Sequence, residues 1–221
     1  MKTIIKRQAT LTYKATFSRY LLGVFDRRGQ LLSRMISIGD DVKLGKYLVN
    51  DSAKTPSPLD MDLQAAWSEK GLKYDIKIST LEGETSNTSD RDLESFFDIG
   101  KRLLEGVKAA DNGVAVLNHE FSYDIHGDVE GGTWEDIVNS LLPDSRQIKG
   151  YETFTKTGGF VFNRAEIESM RLYVERSFSV DKGIFFRTIF VALGNVELPS
   201  AVDAWHLALA SISKEFAIEV R

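Results

Sequence analysis

The chain has 221 residues, 43% apolar and 27% charged, the balance of a globular protein large enough to bury a core without staples. It contains no cysteine, which excludes disulfides, thiolate zinc sites and cysteine nucleophiles outright. The net charge of −4 is unevenly spread: through Ile38 eight basic residues stand against one acid, a segment of +7 that leaves −11 on the remainder.

Residues 1–13 lack the apolar run of a signal peptide, and nowhere do about 18 apolar residues follow one another. A cytoplasmic protein without a membrane partner is expected. Residues 3–17 alternate as a strand, with Ile5, Ala9, Leu11, Tyr13 and Ala15 on one side and Arg7 an exception there. Two apolar-rich runs, 20–25 and 30–38, flank Asp26-Arg27-Arg28-Gly29 and predict a hairpin. Residues 39–55 are polar and aperiodic and read as a connection. Ser57-Pro58-Leu59-Asp60 then opens a predicted helix with a stripe of Leu59, Leu63, Ala66 and Trp67, closed by Gly71. Residues 72–80 alternate as a strand, and 83–88 form a polar loop.

Ser89 and Asp92 make a capping box for the longest amphipathic stretch in the chain. Leu93, Phe96, Phe97, Gly100, Leu103, Leu104, Val107 and Ala110 recur there at three- and four-residue steps, as far as Asn112-Gly113. An alternating strand, 114–126, follows at once, and then a loop over 127–132. Thr133 with Asp136 caps a short helix carrying Trp134, Ile137, Val138, Leu141 and Leu142, which stops at Pro143. Residues 151–156 and 160–162 predict a hairpin around Gly158-Gly159. Asn163 with Glu166 opens a helix through Ile167, Met170 and Val174, although Met170, Leu172 and Val174 fit a strand as well. Residues 184–193 read as a buried strand. Ser200 with Asp203 caps the last helix, whose face is Val202, Trp205, Leu209, Ile212 and Phe216, and residues 216–220 end extended. There is no repeat and no regular βαβ spacing. The expected fold is therefore α+β, an antiparallel or mixed sheet with helices packed mainly on one face. It forms one domain over 1–221, with a subdivision near 143–150 as the alternative.

The strand 114–126 concentrates the chemistry. Alternation places Asn118, Glu120, Ser122, Asp124 and His126 on one face, with Asp128 just beyond. Glu120, Asp124 and His126 could share acid and base roles, and Asp124, His126 and Asp128 could hold Mg²⁺ or Mn²⁺. Neighbours two apart are about 7 Å distant, so a third ligand has to come from another strand. His119, on the apolar side, reads as a core histidine, and His206 as boundary packing. Asp60 followed by Asp75-Ile76-Lys77 has the layout of carboxylates and lysine used by metal-dependent nucleases. The basic segment interleaves Lys14, Arg19, Arg27 and Arg28 with Tyr13, Phe17 and Tyr20, a mixture suited to a phosphate backbone with stacked bases. Alternatively, it neutralises the chain's own acidic body. No phosphate-cradling glycine loop and no nucleophile elbow occurs. The reading that remains is a non-enzymatic interaction protein without a cofactor, binding another protein through a surface of its sheet or hairpins and able to form a homodimer. Its rivals are a metal-dependent hydrolase or nuclease on Glu120, Asp124 and His126, and a nucleic-acid binder using Lys14, Arg19, Arg27 and Arg28.

Overall fold

A computed structural model describes residues 2–26, 46–50, 62–67, 71–86, 88–141, 158–164, 168–194 and 196–221. In chain order they form β1 (Lys2–Phe17), α1 (Leu22–Asp26), β2 (Lys46–Asn50), β3 (Asp62–Trp67), β4 (Leu72–Lys77) and β5 (Thr80–Thr85). Then follow α2 (Asp90–Ala110), β6 (Val116–Val129), α3 (Trp134–Leu141) and β7 (Gly158–Arg164). The last elements are β8 (Glu168–Arg176), β9 (Ile184–Leu193), α4 (Leu198–Glu215) and β10 (Ile218–Val220). The fold is the expected α+β arrangement: one ten-stranded sheet in the order β2-β3-β4-β5-β1-β6-β9-β8-β7, antiparallel except where β10 pairs parallel to the start of β1. No helix among the described residues is long and apolar enough to cross a membrane.

α2 begins as its capping box requires: the Asp92 N–H donates to Ser89 Oγ at 3.3 Å. Phe96, Ile99, Leu103, Leu104 and Val107 are buried against the sheet. α4 lies beside α2 on the same face. Trp205 of α4 stacks on Phe121 of β6, centroids 5.4 Å apart at 12°, and Phe97 of α2 meets both rings edge-on. α3 adds Trp134, Ile137 and Val138 to this core.

Two bulges set which side chains reach the core. Lys6 pairs with Gly127 and Gln8 with His126, which leaves Arg7 unmatched and reverses the alternation there. Ile4 is therefore buried and Ile5 exposed, the opposite of what strict period two predicts for Ile5, and Arg7 turns outward. The second bulge lies between Thr16 and Phe17, where no residue of β1 stands opposite Leu117. Val116 turns inward and Leu117 is 48% exposed.

Several predicted elements are corrected. Leu22–Asp26 is a short helix rather than a hairpin arm, and the other arm, 30–38, lies outside the described residues. Lys46–Asn50 is a strand within the expected connection. The helix expected after Ser57 is replaced, over Asp62–Trp67, by a strand in register with β4, Leu63 opposite Ile76 and Ala65 opposite Tyr74. Residues 83–85 continue β5, and 127–129 continue β6, where loops were expected. Gly158 and Gly159 pair with Val174 and Tyr173 inside β7 instead of forming a turn. β8 replaces the helix after Asn163, burying Met170, Leu172 and Val174 on one side. α4 starts at Leu198, with Glu197 at the cap position, ahead of the predicted Ser200 cap.

Tyr74 joins sheet to helix. Its buried hydroxyl donates to the Phe96 carbonyl at 2.7 Å, and its ring stacks on Phe96 at 5.0 Å. Glycine is needed on both flanks: a Cβ at Gly83 would sit 2.5 Å from the Tyr74 ring, and one at Gly100 2.7 Å from its hydroxyl. Since Tyr74 is locked between a hydrogen bond and a stack, Gly83→Ala is expected to cost about 1–3 kcal/mol in urea unfolding. An unchanged midpoint would show that the ring moves freely aside.

Candidate functional site

Because β8 is a strand, it carries Glu168 and Met170 to the flank of α4. β7 adds Phe162, β9 adds Phe190, and Phe216 closes the end, its ring 5.2 Å from Phe160 and 6.1 Å from Phe162. Between α4 and these strands runs an open groove of about 600 Å³. Phe162, Met170, Phe190 and Phe216 line it from the sheet side and end, and Ala204, Leu207, Ala208 and Ile212 from the helix. Leu207 is 69% exposed. The charged residues among the described lining are Glu168, Asp203 and Glu215; no lysine or arginine is among them. A smaller cleft on the other side of α4 shares Asp203 and brings in Asp90, Glu94 and Asp98 beside Lys101 and His206, so acids predominate along both flanks of the helix.

The N-terminus of α4 is anchored from the core. His119 is fully buried; its Nε2 lies 2.8 Å from the Val196 carbonyl and its Nδ1 2.8 Å from the Tyr13 hydroxyl. A carbonyl only accepts, so Nε2 carries the proton and Nδ1 accepts from Tyr13. Burial lowers the His119 pKa below its ordinary value of 6.5 and raises that of the Tyr13 hydroxyl far above the usual range. His119 is thus the core histidine the alternation predicts.

The outer face of β6 disperses the predicted site residues. The Asp124 carboxylate accepts both a bond from Arg187 Nε at 2.7 Å and one from Arg187 Nη2. That bond holds the Arg187 pKa above its ordinary value, against partial burial. His126 Nδ1 lies 2.9 Å from Ser177 Oγ and its ring 4.7 Å from Phe185. Asp128 pairs with Arg7, the bulged residue. Glu120 stands across from Lys14, which in turn stands across from Glu82. Asp124 and Asp128 are four residues apart on one strand, about 13 Å, and no group of three His, Asp or Glu able to hold a metal occurs among the described residues. Lys77 of the Asp75-Ile76-Lys77 run pairs with Glu82, and Asp60 lies outside the described residues. Of the basic candidates, Arg19 binds Asp111 and the Asn112 carbonyl, Lys14 sits in the mixed-charge row just described, and Arg27 and Arg28 lie outside the described residues. Arg7, Lys14 and Arg19 therefore all face acids of the remainder of the chain.

No protein-family model and no curated protein matches the chain. Among solved structures, it is similar to a rolling circle replication initiator protein from Geobacillus stearothermophilus, at 12% identity over 87% of this chain and 76% of that one, with a TM-score of 0.34. A likeness at that level carries no argument about function.

The groove is what sequence reasoning missed. It depends on β8 being a strand, for which Met170, Leu172 and Val174 give an ambiguous local signal, and on α4 lying beside it, which has none. A second missed feature is Phe178, 91% exposed at the β8–β9 turn. A lone phenylalanine between two serines is the signal that could have found it.

Proposed function

We propose that this protein is a binding module, and that its partner is a protein segment whose apolar side chains lie between lysines or arginines, seated in the groove beside α4. The observation that carries this reading is an open apolar groove with three acids and no base among its described lining. Apolar walls supply affinity once water is displaced, and a one-signed rim selects the charge of what enters. Amphipathic segments docking in apolar grooves are a recurrent mode of recognition.

The test is a fluorescein-labelled amphipathic helix of leucine and lysine, titrated by anisotropy against a leucine–glutamate counterpart. The lysine peptide is expected to bind and the glutamate peptide to fail. Leu207→Asp is expected to weaken binding by about tenfold or more, the equivalent of about 1.4 kcal/mol. Leu207 is largely exposed, so the fold survives the change. Equal affinity for both peptides, or binding indifferent to Leu207→Asp, would overturn the reading.

A further inference from the structure

We infer that the segment entering the groove is the β8–β9 turn of a second copy of this chain, an inference that rests on the groove reading above. Phe178 stands at that turn with almost its whole side chain in water, and Arg176 and Lys182 beside it are exposed. The turn is built to hold it there. The Ser177 N–H donates to the Gly183 carbonyl at 2.9 Å, and the Gly183 N–H to the Val180 carbonyl at 3.0 Å. Ser177 Oγ accepts from the N–H groups of Ser179 and Val180 at 3.1 and 2.9 Å, which leaves its own proton for His126 Nδ1. A rigidly presented aromatic loses little entropy on docking and is the usual form of an interface anchor.

Plug and groove match in apolar character and differ in the sign of their charge. A phenyl ring suits a groove lined by Met170, Phe190 and Leu207. Asp181 offsets one of the two cations, so residues 176–183 carry +1, opposite in sign to Asp203 and Glu215 on the helix side of the groove. The two features lie at opposite ends of β8. Glu168 and Ser177 are nine residues apart, about 30 Å along a strand, so the turn does not reach its own groove. The contact joins different surfaces of two molecules, and repeats into a closed ring or an open chain.

Sedimentation equilibrium across concentrations up to about 1 mM reads this directly. The wild-type average mass is expected to rise with concentration, and Phe178→Asp and Leu207→Asp each to stay monomeric. Both residues are exposed, so both variants keep the wild-type circular dichroism. An equimolar mixture of the two variants is expected to form a dimer and stop, because only one intact turn and one intact groove remain per pair. A wild type that stays monomeric, a Phe178→Asp protein that assembles like wild type, or a mixture that fails to pair would overturn the inference. If the leucine–lysine peptide still binds in that event, the groove reading stands and its occupant is another protein; if the peptide fails too, both fall.

Discussion

Trp205→Ala is expected to lower the unfolding free energy by about 3–5 kcal/mol, the range for deleting a large aromatic from a packed core. Trp205 is 1% exposed and touches both layers: it stacks on Phe121 from the sheet, meets Tyr123 edge-on at 6.1 Å, and meets Phe97 of the neighbouring helix at 5.8 Å. Its indole N–H has no hydrogen-bond partner among the described residues, so the loss is one of packing and cavity formation rather than of a bond. Leu207→Ala, two residues along the same helix, provides the control. Its side chain faces the open groove, and its loss should stay within about 0.5 kcal/mol. Urea unfolding of the two variants separates the buried from the groove-lining face of α4, and equal losses would mean that the helix is rotated from the orientation described.

Acidification gives the second large effect. The folded His119 pKa is lowered by burial, so over the interval between that value and the unfolded value of about 6.5 the unfolded chain binds more protons than the folded one. The stability His119 contributes is therefore complete above about pH 6.5 and is lost as the pH falls from there through the folded pKa. Protonation would also put a proton on Nδ1, where the Tyr13 hydroxyl now donates, so the hydroxyl would have to turn and accept, its own buried proton losing this partner. The Lys108–Glu197 pair stands beside it, Lys108 opposing a positive imidazole and Glu197 favouring one. His119→Gln keeps an amide able to donate and accept but cannot titrate, and it is expected to flatten this part of the profile. Tyr13→Phe leaves a buried acceptor unmet and is expected to cost about 1–3 kcal/mol at neutral pH. Unfolding midpoints between pH 5 and 8 check both, and a wild-type slope that persists in His119→Gln would assign it to another group.

The parts of the fold legible in the sequence are those whose signal is local. Ser89 and Asp92 mark the start of α2, and its apolar stripe needs no partner to be recognised. The alternations of β1, β4 and β6 declare themselves in the same way, down to the unexplained Arg7, which is the mark of a bulge. What failed is period where two periods coincide. Met170 and Val174 are four residues apart, a spacing common to a helix turn and to two steps of a strand, and only Leu172 between them decides. Leu63, Ala66 and Trp67 mimic a helical stripe, yet pairing with β4 governs the outcome, as tertiary context commonly overrides local propensity. The groove inherits the first of these failures, since β8 forms one wall of it. Alternation alone places the acids of β6 on one face, but the sequence holds no sign that Asp124 meets Arg187 from 63 residues away.

Hydrogen exchange on the protein with and without the leucine–lysine peptide tests the account at its centre. The groove reading predicts slowed exchange confined to α4 from Asp203 to Glu215 and to β8 around Met170, with β6 from Asn118 to His126 unchanged. Protection spread along the outer face of β6, with α4 exchanging as before, would contradict it.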